Sequence, residues 1–268
     1  MSRSETPGTG LYVEEGGRST GPTLLLMHGL SGTGALWRGL VDILDREWPG
    51  RWIVPDMRGH GRSDHAPTYG IGLHAADMAA LVTAANAADD LYIAGHSMGG
   101  LVGMLLASGW FGVQPKAVVT AGVKIGWSAE ERAGIAKLIV TPVRKFETER
   151  EARERYVLVT GLKGILDPAS EIAATGIVPD DGKWRLAADN RAAMVAYADT
   201  RDIYNAAQTP VTLAAGEQDR MVTIEEQRDL DPASVRLDGL GHNAHVEDPA
   251  SFWRLIERAL EKGCREEK

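Results

Sequence analysis

Apolar and polar positions divide the chain into two regimes. Up to Ala121, and again from Pro210 to the end, short unbroken apolar runs alternate with stretches of helical period; between 124 and 207 the runs vanish and only helical patterns remain. The runs are Thr23-Leu24-Leu25-Leu26-Met27, Arg51-Trp52-Ile53-Val54, Leu91-Tyr92-Ile93-Ala94, Lys116-Ala117-Val118-Val119-Thr120-Ala121, Pro210-Val211-Thr212-Leu213-Ala214-Ala215 and Ser234-Val235-Arg236-Leu237. They are too short for helices and read as strands, and the continuous apolar run Thr23–Met27 is the pattern of a buried parallel strand. Leu11 to Glu15 reads as one more short strand before a Gly-Gly turn. Helical period runs over 35–48 through Leu36, Leu40, Ile43 and Leu44, over 73–87 through Met78, Leu81 and Val82, and after Ser97 through Leu101, Val102 and Leu105. It returns after Asp248-Pro249 through Phe252, Leu255, Ile256 and Leu260. Strand and helix in strict alternation predict an α/β fold, a mostly parallel, doubly wound sheet with helices on both faces.

The middle stretch reads differently. Ser128-x-x-Glu131 is a capping box, Thr148 to Leu162 carries Glu and Arg at helix spacing, Asp167-Pro168 is a helix start, and Asn190 to Ala206 is a further helical candidate. The expectation is a helical cap, 124–207, inserted into a core formed by 1–123 and 208–268 and lying over the sheet's C-terminal edge. A second capping box, Thr223-x-x-Glu226, opens a short helix after the sheet resumes.

Composition narrows the function classes. The 268 residues are 44% hydrophobic, enough to bury a core, and the net charge of −8 argues against nucleic acid and gives no pull toward anionic membranes. The first ten residues lack the basic start and apolar run of a signal peptide, and no apolar stretch reaches the ~18–20 residues of a membrane span. Cys264, the single cysteine, has no internal disulfide partner. A cytoplasmic enzyme acting on a small molecule is expected, with oligomeric state open. No metal-ligand spacing occurs, so neither metal nor cofactor is expected.

The chemistry gathers where strands end. Ligands of open α/β sheets bind beyond the strands' carboxyl ends, and His28, Asp56, Ser97, Asp219 and His242 each follow such an end. At Gly95-His96-Ser97-Met98-Gly99 a strand turns into a helix so tightly that the apical residue must take a strained positive φ. That turn lifts a hydroxyl beside a helix N-terminus, whose free N–H groups favour negative charge. A serine hydroxyl needs an adjacent base, and the base needs a third group to orient it. Asp219 and His242 supply both types. His245 remains an alternative base, and Glu217 and Asp238 alternative acids.

These residues resemble the α/β-hydrolase superfamily from about Leu11 to Leu260. Gly95-x-Ser97-x-Gly99 is similar to its nucleophile elbow, and Ser…Asp…His is its order of catalytic groups. His28-Gly29 resembles its oxyanion loop, Asp56-x-Arg58-Gly59-x-Gly61-x-Ser63 its next loop, and Gly216-x-x-Asp219 and Gly241-His242 its acid and histidine motifs. The resemblance implies Ser97 as nucleophile, His242 as base, Asp219 as its orienting acid, and the backbone N–H groups of Leu30 and Met98 as the oxyanion hole. It also implies two strands before the His-Gly loop. Little chain precedes Thr23, so the first is expected to be missing or very short. A serine nucleophile argues against relatives that attack with a carboxylate, the haloalkane dehalogenases and epoxide hydrolases.

The pocket is read from residues near strand ends and in the cap: His28, Trp37, Lys124, Trp127, Trp184 and His245, with Met194 and Tyr197 nearby. Several tryptophans suggest an apolar, partly aromatic cavity. Lys124 follows a strand end, where a cation meets a substrate carboxylate or is simply solvated. His28 also reads as a brace for its loop, His60 and His96 as structural or pocket-shaping, and Asp56 and Arg58 as loop supports. The function expected is a cofactor-free serine hydrolase for a small to medium carboxylic ester or lactone. The alternatives are a C–C bond or amide hydrolase with the same triad, a non-enzymatic small-molecule receptor, and a partner-binding module with a vestigial site.

Overall fold

Thr23–Met27 is buried at every position, and its side chains alternate between two cores: Leu25 and Met27 face one, Leu24 and Leu26 the other. That is the two-sided burial of a central strand in a sheet covered on both faces. In the computed structural model, which describes residues 2–6 and 9–266, it is β3 of an eight-stranded sheet. The strands of this sheet are β1 (Ser2–Thr6), β2 (Thr9–Gly17), β3 (Thr23–Met27), β4 (Arg51–Pro55), β5 (Leu91–His96), β6 (Ala117–Ala121), β10 (Val211–Gly216) and β11 (Val235–Leu237), in the spatial order β1-β2-β4-β3-β5-β6-β10-β11. All neighbours pair in parallel except β2, which runs antiparallel to β1 and β4.

The expectation that the first strand is missing or very short is corrected: two strands precede β3, and the first, β1, spans five residues. β1 carries Ser-Arg-Ser-Glu-Thr, an edge sequence with no apolar run to betray it.

Helices α1 (Arg38–Glu47) and α10 (Pro249–Glu266) cover one face. There Trp37, Leu40, Leu44, Phe252, Leu255 and Ile256 pack against Leu24, Leu26 and Ala94. Helices α2 (Ile71–Ala84) and α3 (Met98–Leu106) cover the other, with Met78, Val82, Val102 and Leu105 against Leu25, Ile93 and Val118. Each fully buried aliphatic side chain contributes ~1.5–3 kcal/mol, and truncating one such as Leu25 to alanine costs ~2–5 kcal/mol.

Between β6 and β10 the chain leaves the sheet. This inserted segment holds α4 (Ala129–Val140), β7 (Lys145–Phe146), α5 (Glu149–Val159), α6 (Glu171–Ala174), β8 (Ile177–Asp180), β9 (Lys183–Leu186), a 3-10 stretch at Asn190–Tyr197 and α7 (Thr200–Ala206). The expectation of helices alone is corrected by a three-stranded antiparallel sheet, β7-β9-β8. Its hairpin turns on Asp181-Gly182, both at positive φ (51° and 75°), the type I′ geometry that an Asp-Gly pair favours. The single helix expected over 190–206 is instead broken. Asp199 starts α7 by accepting from the N–H groups of Arg201 and Asp202. Asp167-Pro168 forms a turn, and α6 begins later, on Ser170. A small core of Phe146, Ala152, Tyr156, Val157, Leu162 and Ile177 holds the segment, with Leu36 reaching in from below. The sheet closes with α8 (Ile224–Arg228) and α9 (Ala244–Glu247) flanking β11.

Among the described residues no helix is long and apolar enough to cross a membrane.

Candidate active site

The chain turns one way from β3, to β4, and the opposite way from β5, to β6. The crevice beyond the carboxyl ends of β3 and β5 is therefore the sheet's switch point, where open α/β sheets bind ligands. Two strained residues stand at its lip. Ser97, between β5 and α3, has φ 49° and ψ −113°. Ser31, in the loop after β3, has φ 63°. Each costs about 1–3 kcal/mol and persists only where its surroundings enforce it, as they do here. Cβ atoms at Gly95 and Gly99 would lie 2.5 Å from the Gly100 nitrogen and 2.2 Å from the Met27 carbonyl oxygen, so only glycine lets the arms pass. The Ser97 N–H donates to the Ala121 carbonyl at the end of β6 (2.9 Å), and its own carbonyl accepts from Leu101 (3.1 Å). In the β3 loop, Gly32 N–H closes a turn onto Gly29 C=O (3.0 Å).

Opposite the elbow stands His242. Its Nδ1–H donates to Asp219 Oδ2 at 2.8 Å, which leaves Nε2 as the acceptor. The Asp219 carboxylate is shielded from solvent, and its other oxygen accepts from the N–H groups of Met221 (2.7 Å) and Val222 (3.1 Å). Gly122, one residue past the Ser97 acceptor, lies against the imidazole: a Cβ there would fall 3.0 Å from His242 Cε1. His96, adjacent to Ser97, donates from Nε2 to the His242 carbonyl (2.9 Å), the two rings 4.7 Å apart. Serine and imidazole are thus neighbours, although among the described residues no hydrogen bond joins Ser97 Oγ to His242. Neither the Leu30 nor the Met98 N–H has a backbone acceptor among the described residues. No group of three or more His, Cys, Asp or Glu there is arranged to hold a metal.

The alternatives left open by the sequence part company here. Glu217 accepts from Gly239 N–H and pairs with Arg236, and Asp238 also pairs with Arg236; both point away from His242. His245 is fully buried, stacked 4.3 Å from Trp37 and 4.5 Å from His96, with neither ring nitrogen hydrogen-bonded.

Several residues expected in the pocket lie elsewhere. Trp37 and His245 belong to the core beneath α1 and α10. His28 is a brace: Nε2 accepts from Met57 N–H (2.9 Å), so the proton is on Nδ1, which donates to Gly29 C=O (2.8 Å). Trp184 packs against the inserted segment's own core. The Lys124 ammonium is already engaged, 2.8 Å from Glu131 Oε1, 3.2 Å from the Met221 carbonyl and over the half-buried Trp127 ring, so no free cation waits for a substrate carboxylate there. Arg58 grips Asp77 through two hydrogen bonds, and Asp56 accepts from Gly34 N–H and Arg62, as loop supports do.

Burial disfavours the charged form of five enclosed histidines. It pushes His28 down to about 4, and His60 and His245 to about 3, with His28 adding to the effect on His60. His74 and His96 are also held well below the usual range by burial, His96 further by its histidine neighbours.

Residues with no sequence signal for a role fasten the inserted segment to the core. Tyr69 Oη donates to Asp189 Oδ2 (2.9 Å), which also receives Arg191; His65 Nε2 donates to the Ala187 carbonyl (2.7 Å). Thr33, beside the β3 loop, shares a hydrogen bond with Thr175 (2.7 Å). These contacts set the segment above the switch point.

A strained serine at an elbow, facing a carboxylate-held histidine at the switch point of this sheet, defines the α/β hydrolase class of fold. The chain belongs to the alpha/beta hydrolase family, whose pattern it matches over residues 24–255. A Pseudomonas syringae protein named "Putative carbamate hydrolase RutD" is 29% identical over 89% of this chain and 93% of its own. The magnesium-chelatase 30 kDa subunit of Rhodobacter capsulatus is 30% identical over 87% of this chain and 85% of its own. Among solved structures, E-2-(acetamidomethylene)succinate hydrolase superposes with a TM-score of 0.81 at 22% identity, covering 97% of this chain and 98% of that one. The chain is a hydrolase of this family.

Proposed function

We propose that the protein is a serine hydrolase that cleaves a small to medium carboxylic ester or lactone through an acyl-enzyme on Ser97. The observation that carries this reading is the 2.8 Å hydrogen bond from His242 Nδ1 to the buried Asp219, beside a serine held at φ 49°. In the proposed course, His242 Nε2 takes the Ser97 proton as Oγ attacks the carbonyl carbon. The resulting oxyanion is held by the Leu30 and Met98 N–H groups, a kind of contact whose loss typically costs ~10²–10³ in rate. The tetrahedral intermediate collapses, and the alcohol leaves with the proton from His242. Water, deprotonated by His242, then attacks the acyl group, releases the acid and restores the Ser97 hydroxyl. Asp219 stabilises the imidazolium in both halves.

The engaged Lys124 favours an uncharged acyl group over a carboxylate-bearing one. A second reading, a carbamate as the carbonyl substrate, is supported by the name of the Pseudomonas relative that spans most of the chain, and it uses the same attack.

A panel of short p-nitrophenyl esters, lactones, carbamates, anilides and β-diketones on purified protein tests this, with Ser97→Ala as control. The expected result is ester or lactone turnover that the control lacks. Carbamate turnover with no ester turnover would select the second reading, and cleavage retained in the control would overturn both.

A further inference from the structure

Asp219 fixes the His242 side chain, but an imidazole is only as well placed as the backbone that carries it. Here the backbone is clasped from outside the catalytic trio. The Glu247 carboxylate spans His242: Oε2 accepts from Gly241 N–H (2.7 Å) and Oε1 from Asn243 N–H (3.0 Å), the residues immediately before and after it. Between them, the His242 carbonyl accepts from His96 Nε2 (2.9 Å). Asn243 extends the network, its Nδ2 donating to Thr160 C=O at the end of α5 (3.0 Å). Three backbone polar groups around the imidazole, Gly241 N–H, His242 C=O and Asn243 N–H, are thus tied to side chains. Gly241 belongs to the arrangement, since a Cβ there would come 3.0 Å from Glu247 Oε1.

We propose that Glu247 is a positioning residue for the base, holding the His242 backbone so that Nε2 stays in line with Ser97. The proposal rests on the reading of His242 as the general base. The simpler role for Glu247 is to cap the four-residue α9, whose first turn starts at Asn243. Capping requires only the bond to Asn243 N–H. The bond to Gly241 crosses to the far side of His242 and does nothing for the helix. A carboxylate suits the task because it offers two acceptor oxygens and no donor. An amide would turn its NH₂ toward one of the two N–H groups.

The consequence is a graded series. Displacing a catalytic group by ~1 Å costs up to ~10²-fold even when the substrate still binds. Glu247→Gln, which loses one acceptor, should lower kcat by about 10- to 100-fold with KM within about threefold. Glu247→Asp keeps both oxygens on a shorter stem and should recover part of that loss. Asp248→Asn is the control for loosening the same stretch of chain, since that carboxylate serves Ser251 in the first turn of α10; its kcat should stay within about twofold of the parent.

The test measures three things on the purified full chain: kcat and KM on whichever panel substrate turns over, the rate of Ser97 labelling by a fluorophosphonate probe, and the thermal midpoint. Expected are labelling and kcat falling together in Glu247→Gln, partial rescue in Glu247→Asp, and near-parental melting in both. Labelling that is normal in the parent and unchanged in both Glu247 variants would overturn the positioning role alone. So would a loss of rate matched by Asp248→Asn. A parent chain that the probe does not label would instead overturn the reading of Ser97 and His242, and this proposal with it.

Discussion

Helices α3 and α4 mark the two halves of the molecule. Every residue of α3 is buried, Met98 through Leu106, while α4 buries none of its twelve. The first carries the elbow and is apolar all round, as a helix enclosed by sheet and neighbours must be. The second lies over the 3-10 stretch at the outer surface, with Leu138 and Val140 exposed, and its N-terminus is held by the Lys124–Glu131 ion pair and a capping box on Ser128. The same division runs through the histidines. All seven lie outside 124–207; exposed ion pairs occur in both halves, Lys183–Glu147 and Arg150–Glu154 in the insertion and Lys116–Asp90 and Arg236–Asp238 in the core. One half fixes atoms for chemistry, in a packed interior where small displacements are costly. The other is fastened to the core at a few points, Tyr69–Asp189, His65–Ala187 and Thr33–Thr175 among them.

The largest effect expected on this comparison comes from Ser97→Ala. Turnover should fall at least about 10⁴-fold. Stability should move by less than about 0.5 kcal/mol, since the hydroxyl makes no hydrogen bond among the described residues. Steady-state rates and a urea melt of the variant check both halves of that statement, and a large stability loss would mean that the serine is part of the scaffold instead.

Acid should attack the core before the carboxylates titrate. His28, His60 and His245 stay neutral in the fold down to about 4, about 3 and about 3, against 6.5 for an unperturbed ring, because burial penalises their charged form. Below pH 6.5 the unfolded chain therefore binds protons that the folded chain refuses. Stability from these rings is fully present above about pH 6.5 and drains as pH falls toward 4, on the order of 4 kcal/mol per pH unit for three rings. With ~5–15 kcal/mol in total, urea midpoints should drop steeply between pH 6.5 and 5. A flat profile down to pH 4.5 would contradict the burial of these rings.

A smaller effect is expected where the halves join. Asp189→Asn strips the charge that Arg191 pairs with and weakens the Tyr69 contact. About 1–3 kcal/mol of local stability should be lost, seen as faster proteolysis and hydrogen exchange within 124–207 and a raised KM, with kcat nearly unchanged. The smallest belongs to the surface: Arg150→Ala removes an exposed i,i+4 pair on α5, where solvent screens the attraction, and should leave the urea midpoint unchanged.

The same contrast explains what was legible in the sequence. The central strands announce themselves because burial on both faces demands unbroken apolar runs, and the elbow because only glycine fits at Gly95 and Gly99. β1 is an edge strand with no such demand. In the insertion, β7 is two residues long and β8 contains Pro179, so neither shows a strand pattern. The Asp181-Gly182 turn was the readable sign of that hairpin. Trp37 and His245 sit near chemistry in the sequence yet pack into the core, because a large ring after a strand end can turn under the sheet as easily as over it. Glu247 and His96 act through backbone groups, and a side chain's hold on a peptide N–H or C=O leaves no mark in residue type or spacing. Asp189 is paired with Tyr69 across 120 residues, a separation that no local pattern records.

The central claim is that Ser97 carries the acyl group. Mixing the protein with a p-nitrophenyl ester, quenching in acid within milliseconds to seconds, and measuring the intact mass followed by peptide mapping tests it directly. A covalent acyl adduct is expected on the peptide containing Ser97, forming and decaying with turnover and absent in Ser97→Ala. An adduct on another residue, or turnover with no adduct while hydrolysis persists in Ser97→Ala, would contradict it.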